Sequence, residues 1–407
     1  MDVSRHPPAE LDGFSSFLPL PFRVAIILVA GFWGWGLNLH YLSLAKIDVP
    51  ALIRYPSRQS PHQTPHHIST YHLATLLTIP LGVCLLVFWA VTHGSAERVI
   101  SWEVIPQSYF LIFVIILILP FHRLSRSGRH RFLVVLRRIS LGGLAETQDG
   151  KFGDILLADA LTSYAKVFAE IFINFCMFFS RKTSSTGKPD RSCGGEMVVP
   201  LIIAIPSAIR LRQCLIEFIR VRRAGLRGDG WGGQHLANAL KYATAFPVII
   251  FTALERNYSP LKANGLSEVT VSRLWVFFCL VNSCYSFYWD VAKDWDLTLF
   301  SAERSRPDHP FGLRRHRAFY SNGLYYGAII IDLILRFTWV CRLSRRFDRI
   351  NNLESGIFLL MFLEVARRWM WIFFRVETEW VRNTRGPAPD DILLGEFSGK
   401  FDDDRRD

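Results

Sequence analysis

The segment from Ile357 to Phe374 is long and apolar enough to cross a bilayer, yet it carries Glu364, Arg367 and Arg368 among Phe, Leu, Met and Trp. Charges at that depth are expensive in hydrocarbon, so they are expected to face the inside of a helix bundle, toward an ion or substrate path. The preceding apolar segment repeats the pattern: Asp332 and Arg336 lie four residues apart between Tyr325 and Cys341. A third ends in Trp289-Asp290, with Asp294 one turn on. Three charged apolar segments in one chain predict a polar cavity enclosed by membrane helices.

The rest of the chain agrees with that class. Half of its 407 residues are hydrophobic and the mean hydropathy is +0.20, which is unusual for a soluble globular chain. The length suffices for about eight to ten spanning helices of about 20 residues each, so the expected fold is an all-α polytopic bundle. The net charge of +12 does not indicate nucleic acid. The arginines cluster beside apolar runs, as the positive-inside rule and anionic headgroups require, and no nucleic-acid recognition module accompanies them. The seven Cys lie mostly in apolar segments without metal-ligand spacing, so free buried thiols are expected. Only Cys193 sits in a polar connection where a disulfide is plausible, and no loop cysteine pairs with it. No metal or cofactor is expected.

Apolar runs fall near 22–45, 72–93, 105–121, 155–179, 197–219, 236–254, 271–289, 321–341 and 355–375, which gives nine candidate spans. The first follows a polar, Pro-punctuated stretch, residues 1–21, and is too long for a signal-peptide core, so it is expected to be retained. Arg129 to Leu144 sets Phe132, Leu133, Leu136 and Ile139 against Arg131, Arg137 and Arg138, the pattern of an interfacial helix or a short span, of which the interfacial reading is favoured. The Ser-, Thr-, Lys- and Gly-rich connection from Ser180 to Gly195 reads as a flexible loop. Residues 386–407 read as a disordered tail. With nine spans, the Arg-rich connections at 122–138, 220–227 and 304–317 share one side with that tail, which is therefore expected to be cytosolic. Arg342, Arg345, Arg346 and Arg349 then fall on the opposite side, against the rule, so that either this loop serves the substrate, for instance as an anion-attracting vestibule, or the span count differs nearby.

Within the apolar segments, Asp290 and Asp294 share a helix face by the i, i+4 rule, either as solvated residues at the membrane boundary or as partners of cavity cations. Lys241 and Tyr242 sit in a run too apolar for an idle ammonium. Arg336 and Trp339 share a face, and Asp332 can neutralise Arg336 within its own helix. Arg367 and Arg368, being adjacent, diverge by about 100° around a helix, so Glu364 can neutralise only one of them. The other requires a partner from another helix or an anionic ligand. Phosphate suits such a site, because guanidinium forks match its oxygens bidentately.

Several ordered blocks resemble the EXS domain over residues 150–385. They are Ile205-Pro-Ser-Ala-Ile-Arg-Leu-Arg-Gln-Cys214, His235-Leu-Ala-Asn-Ala-Leu-Lys-Tyr242, Tyr288-Trp-Asp-Val-Ala-Lys-Asp-Trp295, Asp332-Leu-Ile-Leu-Arg-Phe-Thr-Trp339 and Glu364-Val-Ala-Arg-Arg-Trp369, the last followed by Phe374-Arg-Val-Glu377. The family includes eukaryotic phosphate exporters of the xenotropic-retrovirus-receptor type, which carry an N-terminal SPX domain that senses inositol pyrophosphates. With its first span beginning near Pro21, this chain is similar instead to the fungal Erd branch, Golgi proteins implicated in retaining lumenal ER proteins and recovering phosphate released by glycosylation. The resemblance implies that Lys241, Tyr242, Arg336, Arg367 and Arg368 contact phosphate. It further implies that Asp290 and Asp294 hold those cations, that Trp339 lines or gates the path, and that Asp159 belongs to the site. The polar positions that follow in the exporters become Thr162 and Ala165, which argues against substrate contact by that helix.

The expected function is therefore return of inorganic phosphate from the Golgi lumen to the cytosol. The alternative is a trafficking factor whose tail, Asp390 to Asp407, binds coat adaptors or glycosyltransferase tails without transport. No P-loop, nucleophile elbow or HExxH helix marks an enzyme. Membrane lipids are expected partners, as is a second copy of the chain.

Overall fold

In a computed structural model of the chain, residues 11–54, 65–118, 126–146, 149–180, 183–223, 232–258, 265–305, 310–314, 316–343 and 353–385 are described. They are helical, and no strand occurs among them. A short helix, α1 (Gly13–Phe17), begins at Asp12, whose carboxylate caps the amide of Ser15. It precedes α2 (Leu20–Leu44), α3 (Val49–Leu52) and α4 (His66–Thr92). Next come α5 (Ala96–Ser101), α6 (Val104–Ile118), α7 (Arg126–Arg137), α8 (Lys151–Ser163) and α9 (Ala165–Ser180). The remainder comprises α10 (Val198–Arg223), α11 (Gly233–Ala243), α12 (Ala245–Arg256), α13 (Glu268–Trp289), α14 (Asn322–Arg336) and α15 (Glu354–Arg385).

Among the described residues, six stretches are long and apolar enough to cross a membrane: α2, α4, α10, α11 with α12, α13 with the turn after it, and α14 with the turn after it. Shorter α6, the α8–α9 pair and charged α15 pack among them, so the bundle follows the nine-run pattern of the sequence. The outward face of α4 leaves Ile79, Val83, Leu86 and Val87 exposed, as a lipid-facing surface requires. Amphipathic α7 does not pass through the bundle. Its Val135, with Ile139 just beyond it, packs on Ala158 of α8.

Central α2 touches α4, α6, α9 and α15. One core joins its Leu20, Phe22 and Ile27 to Leu77, Phe88, Tyr109 and Ile173, and a second gathers Trp295, Tyr325, Trp371 and Phe374. Gly34 of α2 makes the contact with α15 possible, since a Cβ there would lie 2.4 Å from the indole of Trp369.

Side-chain contacts fix which helix ends meet. At one end, Arg23 of α2 pairs with Glu354 of α15 at 2.7 Å, and Arg191, between α9 and α10, bridges Glu354 and Glu170 at 2.7 and 2.8 Å. At the other end, Glu377 of α15 accepts from Tyr325 at 2.5 Å and pairs with Arg314 at 2.6 Å, while Glu217 of α10 pairs with Lys151 of α8 at 2.8 Å. The Arg-rich ends of α7 and α10 lie on this second side.

Three expectations need correction. The connection after Ser180 is not a free loop over its described part. Ser185 and Thr186 are fully buried, Glu103 accepts from the Ser185 amide at 2.7 Å, and Ser184 Oγ donates to the same carboxylate at 2.8 Å. Hydroxyl-rich composition, read as loop-like, here satisfies a carboxylate at the bundle rim. Cys193 is disulfide-bonded to Cys176 of α9, so its partner comes from an apolar helix, and Cys176 is not a free thiol. Residues 11–21, expected as part of a tail, include α1 and the buried Leu18 and Leu20. The vestibule expected of Arg342 to Arg349 is described only at Arg342, which pairs with Glu255 at 3.0 Å and stacks over Trp275. Arg345, Arg346, Arg349 and the tail 386–407 lie outside the described residues.

Candidate functional site

Midway through the second half of the bundle, α11, α13, α14 and α15 aim charged side chains at one another. Asp290, fully buried, is the hub. It accepts from Arg336 Nε at 3.0 Å, receives Lys241 Nζ at 3.4 Å, and lies 3.6 Å from Arg367. Lys241 also reaches Asp294 at 3.2 Å. Arg367 donates to Asp332 at 2.9 Å and grips Glu364 through both Nη2 and Nε, at 2.6 and 3.0 Å. Asp332 additionally accepts from Arg336 at 3.3 Å. Asp290 and Asp294 are therefore not boundary residues in water; they organise cations from three other helices.

The two adjacent arginines divide as their 100° separation requires. Glu364 goes to Arg367. Arg368 turns toward α8, where Ser163 accepts from its Nε at 2.9 Å and Thr162 from its Nη2 at 3.2 Å, and its guanidinium stacks 4.5 Å from the Trp371 ring centre. It is only 6% exposed, and among the described residues no carboxylate lies within ion-pair distance of it. Ser163 also donates to Glu364 at 2.7 Å, joining the two halves. The hydroxyls of α8 thus stand beside the cluster, although from sequence that helix is expected to contribute Asp159, with its substrate contact in doubt.

Asp159 forms a second node. It accepts from Arg210 at 2.7 Å and from the hydroxyl of Tyr242, whose ring lies 4.9 Å from the Arg210 guanidinium. Arg210 also donates to Gln213 at 2.6 Å. Trp339 does not enter the cluster; its indole donates to Ser283 at 3.0 Å and its ring meets Trp275 edge-on, closing the bundle beside Arg336. Arg375 adds a weaker link, 4.0 Å from Asp294.

The helices break where they meet this network. The α8–α9 span is interrupted between Ser163 and Ala165, and the α11–α12 span at Thr244, beside Lys241. After Trp289 the helix widens into a π-turn over Asp290–Asp294, and α14 ends at Arg336 before tightening into a 3₁₀ turn over Thr338–Leu343. Broken helices free backbone groups and re-aim side chains. In membrane proteins they are tolerated where the protein lines a polar cavity, and they are typical of midplane binding sites. π-Turns likewise concentrate at functional positions.

The structure therefore brings Lys241, Asp290, Asp294, Arg336, Arg367 and Arg368 into one region, with Asp159 and Tyr242 joined through Arg210. Arg210, Ser163 and Trp371 were not singled out from sequence, and Thr162 was named only as a departure from the exporters' pattern. Arg210 had a signal, standing with Arg212 inside an apolar run, but Ser163 and Trp371 had none, because Ser and Trp are ordinary inside membrane helices. Among the described residues no group of His, Cys, Asp and Glu is arranged to hold a metal ion.

The EXS family model matches residues 18–381. The chain is 31% identical over 375 residues to Protein ERD1 homolog 1 of Schizosaccharomyces pombe, covering 91% of this chain and 93% of the relative. It is 27% identical to Protein ERD1 of Kluyveromyces lactis, covering 94% and 99%. It is also 30% identical to Solute carrier family 53 member 1 of Mus musculus over 78% of this chain, which corresponds to 45% of that longer protein.

Proposed function

Because the chain belongs to the EXS family, we propose that this membrane protein transports inorganic phosphate through the charged cluster, carrying it from the Golgi lumen to the cytosol. Return of this glycosylation by-product would in turn support retention of lumenal ER proteins and Golgi glycosyltransferases. The observation that carries the reading is Arg368: a buried guanidinium satisfied by two hydroxyls and an aromatic face, beside Arg367, and without a carboxylate among the described residues. Bare buried charge of this kind is costly, and a phosphate oxygen pair is the acceptor that a planar guanidinium fits best.

These charges of the cluster balance, with Lys241, Arg336, Arg367 and Arg368 against Asp290, Asp294, Asp332 and Glu364. A phosphate dianion is accommodated only if a carboxylate yields its cation or takes up a proton. Glu364 is placed to do so: its side chain is 38% accessible, against 0% for Asp290 and Asp332. Phosphate would then bridge Arg367 and Arg368 while Glu364 remains held by Ser163. The broken spans on either side provide the joints by which the path opens alternately toward each face.

The disulfide supports the orientation. Disulfides persist in oxidising compartments, so the end bearing Cys176 and Cys193 is lumenal, and the Arg-rich ends of α7 and α10 are cytosolic as the positive-inside rule requires.

The test is phosphate flux in proteoliposomes, wild type beside Arg368→Ala, with sulfate as competitor. Flux that the substitution removes supports the reading. Absence of flux in well-folded protein overturns it and favours the trafficking alternative, in which coat adaptors or glycosyltransferase tails are the partners.

A further inference from the structure

Apart from the charged cluster, the bundle holds a cavity of about 440 Å³ enclosed mainly by α2, α4, α7, α8 and α15. Its lining follows α8 along its length, from Gly150 through Gly153, Leu157 and Ala160 to Tyr164. At about 1.5 Å per residue, that path is roughly 20 Å long. The cavity is thus an elongated slot rather than a compact chamber. Its walls are hydrocarbon and aromatic over most of that length, including Phe32, Phe113 and Val135. An inorganic anion gains nothing from such walls, whereas an extended alkyl chain does.

The two ends differ. The inner end stops against Arg368 and Trp369; the outer end, at the Arg-rich side of the bundle, is lined by Arg131, His66 and Thr70. Arg131 donates to the Ile53 carbonyl at 3.3 Å and has no ion-pair partner among the described residues. The guanidinium stands at the rim beside Gly150, where an added Cβ would come within 3.0 Å of its Nη2. Two glycines of the α8 start, Gly150 and Gly153, keep the rim open. Amphipathic α7, which contributes Arg131, Phe132 and Val135 to the cavity, therefore supplies both a cation at headgroup depth and an apolar lid over the slot. Basic pockets between membrane helices at the cytoplasmic side are suited to anionic lipid headgroups.

We infer that this slot is a binding site for one anionic phospholipid, with an acyl chain lying along α8 and the headgroup phosphate on Arg131. The site is separate from the transport reading and does not rest on it. It touches the charged cluster only at its inner end, where the chain terminus would abut the arginine whose hydroxyl cradle, Thr162 and Ser163, belongs to the same helix. Lipid occupancy would thereby brace α8 and hold that cradle in place.

The experiment is native mass spectrometry of the full chain in detergent. It is titrated with phosphatidic acid or with phosphatidylcholine of identical chains, and run for wild type, Arg131→Gln and Ala160→Trp. The wild type is expected to retain one phosphatidic acid with clear preference over phosphatidylcholine. Arg131→Gln should erase the preference while retaining lipid, and Ala160→Trp, which fills the slot, should lower occupancy by about tenfold or more for both lipids. Should Ala160→Trp fail to fold, loss of preference in Arg131→Gln still decides the headgroup assignment. Equal binding of the two lipids by wild type, preference that survives Arg131→Gln, or full occupancy in a folded Ala160→Trp protein would each overturn the inference.

Discussion

Arg367 and Arg368 are chemically identical neighbours whose removal should have different consequences for stability. Replacing Arg367 with Ala strips Glu364 of two charge-assisted hydrogen bonds and Asp332 of one, leaving fully buried Asp332 with Arg336 at 3.3 Å and the more accessible Glu364 with the Ser163 hydroxyl. Breaking a buried ion pair from one side costs about 3–5 kcal/mol, so Arg367→Ala should unfold several degrees below wild type. Replacing Arg368 with Ala loses two hydrogen bonds from a charged donor to neutral hydroxyls, worth about 3–6 kcal/mol together. It also loses a stack on Trp371 of about 2 kcal/mol. Against these stands the release of a buried guanidinium that no carboxylate compensates, an effective penalty of several kcal/mol. The terms nearly cancel, so Arg368→Ala should be close to wild type in stability while losing its response to phosphate. Thermal unfolding of purified protein, with and without saturating phosphate, reads both quantities. Wild type should be raised by phosphate; Arg368→Ala should match the phosphate-free wild type and stay there. If Arg368→Ala is as destabilised as Arg367→Ala, or if phosphate still raises its midpoint, then Arg368 is structural and the assignment of the free cation is wrong.

Other consequences can be checked separately. Glu364→Gln removes the carboxylate that competes for Arg367, and charge-assisted bonds exceed neutral ones by about 1 kcal/mol or more, so phosphate affinity measured by calorimetry should rise about fivefold or more while flux falls. Tyr242→Phe deprives Asp159 of a buried hydroxyl donor but leaves Arg210 in place; it should cost about 1–3 kcal/mol, read as a lower unfolding midpoint with the fold intact. Gly34→Ala forces a Cβ onto Trp369 and should cost about 1–3 kcal/mol through overpacking, visible as weakened thermal stability that Trp369→Leu partly restores. Cys193 should resist maleimide labelling until reduced, and Cys176→Ser should expose it while lowering stability by about 3 kcal/mol, the loop-closure term for a ring of this size; labelling without reductant in wild type would refute the pairing.

Much of this architecture was legible in the chain because the bilayer makes sequence speak plainly. Apolar runs must become helices, since unpaired backbone groups cannot be left in hydrocarbon, and the runs near 22–45, 197–219 and 321–341 each correspond to one. Charges inside such runs must turn inward, which pointed to Lys241, Asp290, Arg336, Arg367 and Arg368 before any geometry was known. The adjacency of Arg367 and Arg368 even dictated that Glu364 would serve only one of them.

Which one it serves was decided by tertiary packing. Helical spacing allows Glu364 to reach either arginine, and only the approach of α14, carrying Asp332, and of α8, carrying Ser163 and Thr162, assigns Arg367 to carboxylates and Arg368 to hydroxyls. Of the helix breaks, the one at Thr244 is announced by Pro247, which has no N–H for the Ala243 carbonyl, whereas those at Tyr164 and Asp290 have no proline or glycine beside them and coincide with the charged network. The Cys176–Cys193 pair and the burial of Ser185 and Thr186 arise in the same way, from segments distant in hydropathy but adjacent in space. Hydropathy depends on each residue's own transfer free energy and is local in sequence, whereas pairing energies depend on distance between elements, and that distance is set only when the bundle closes.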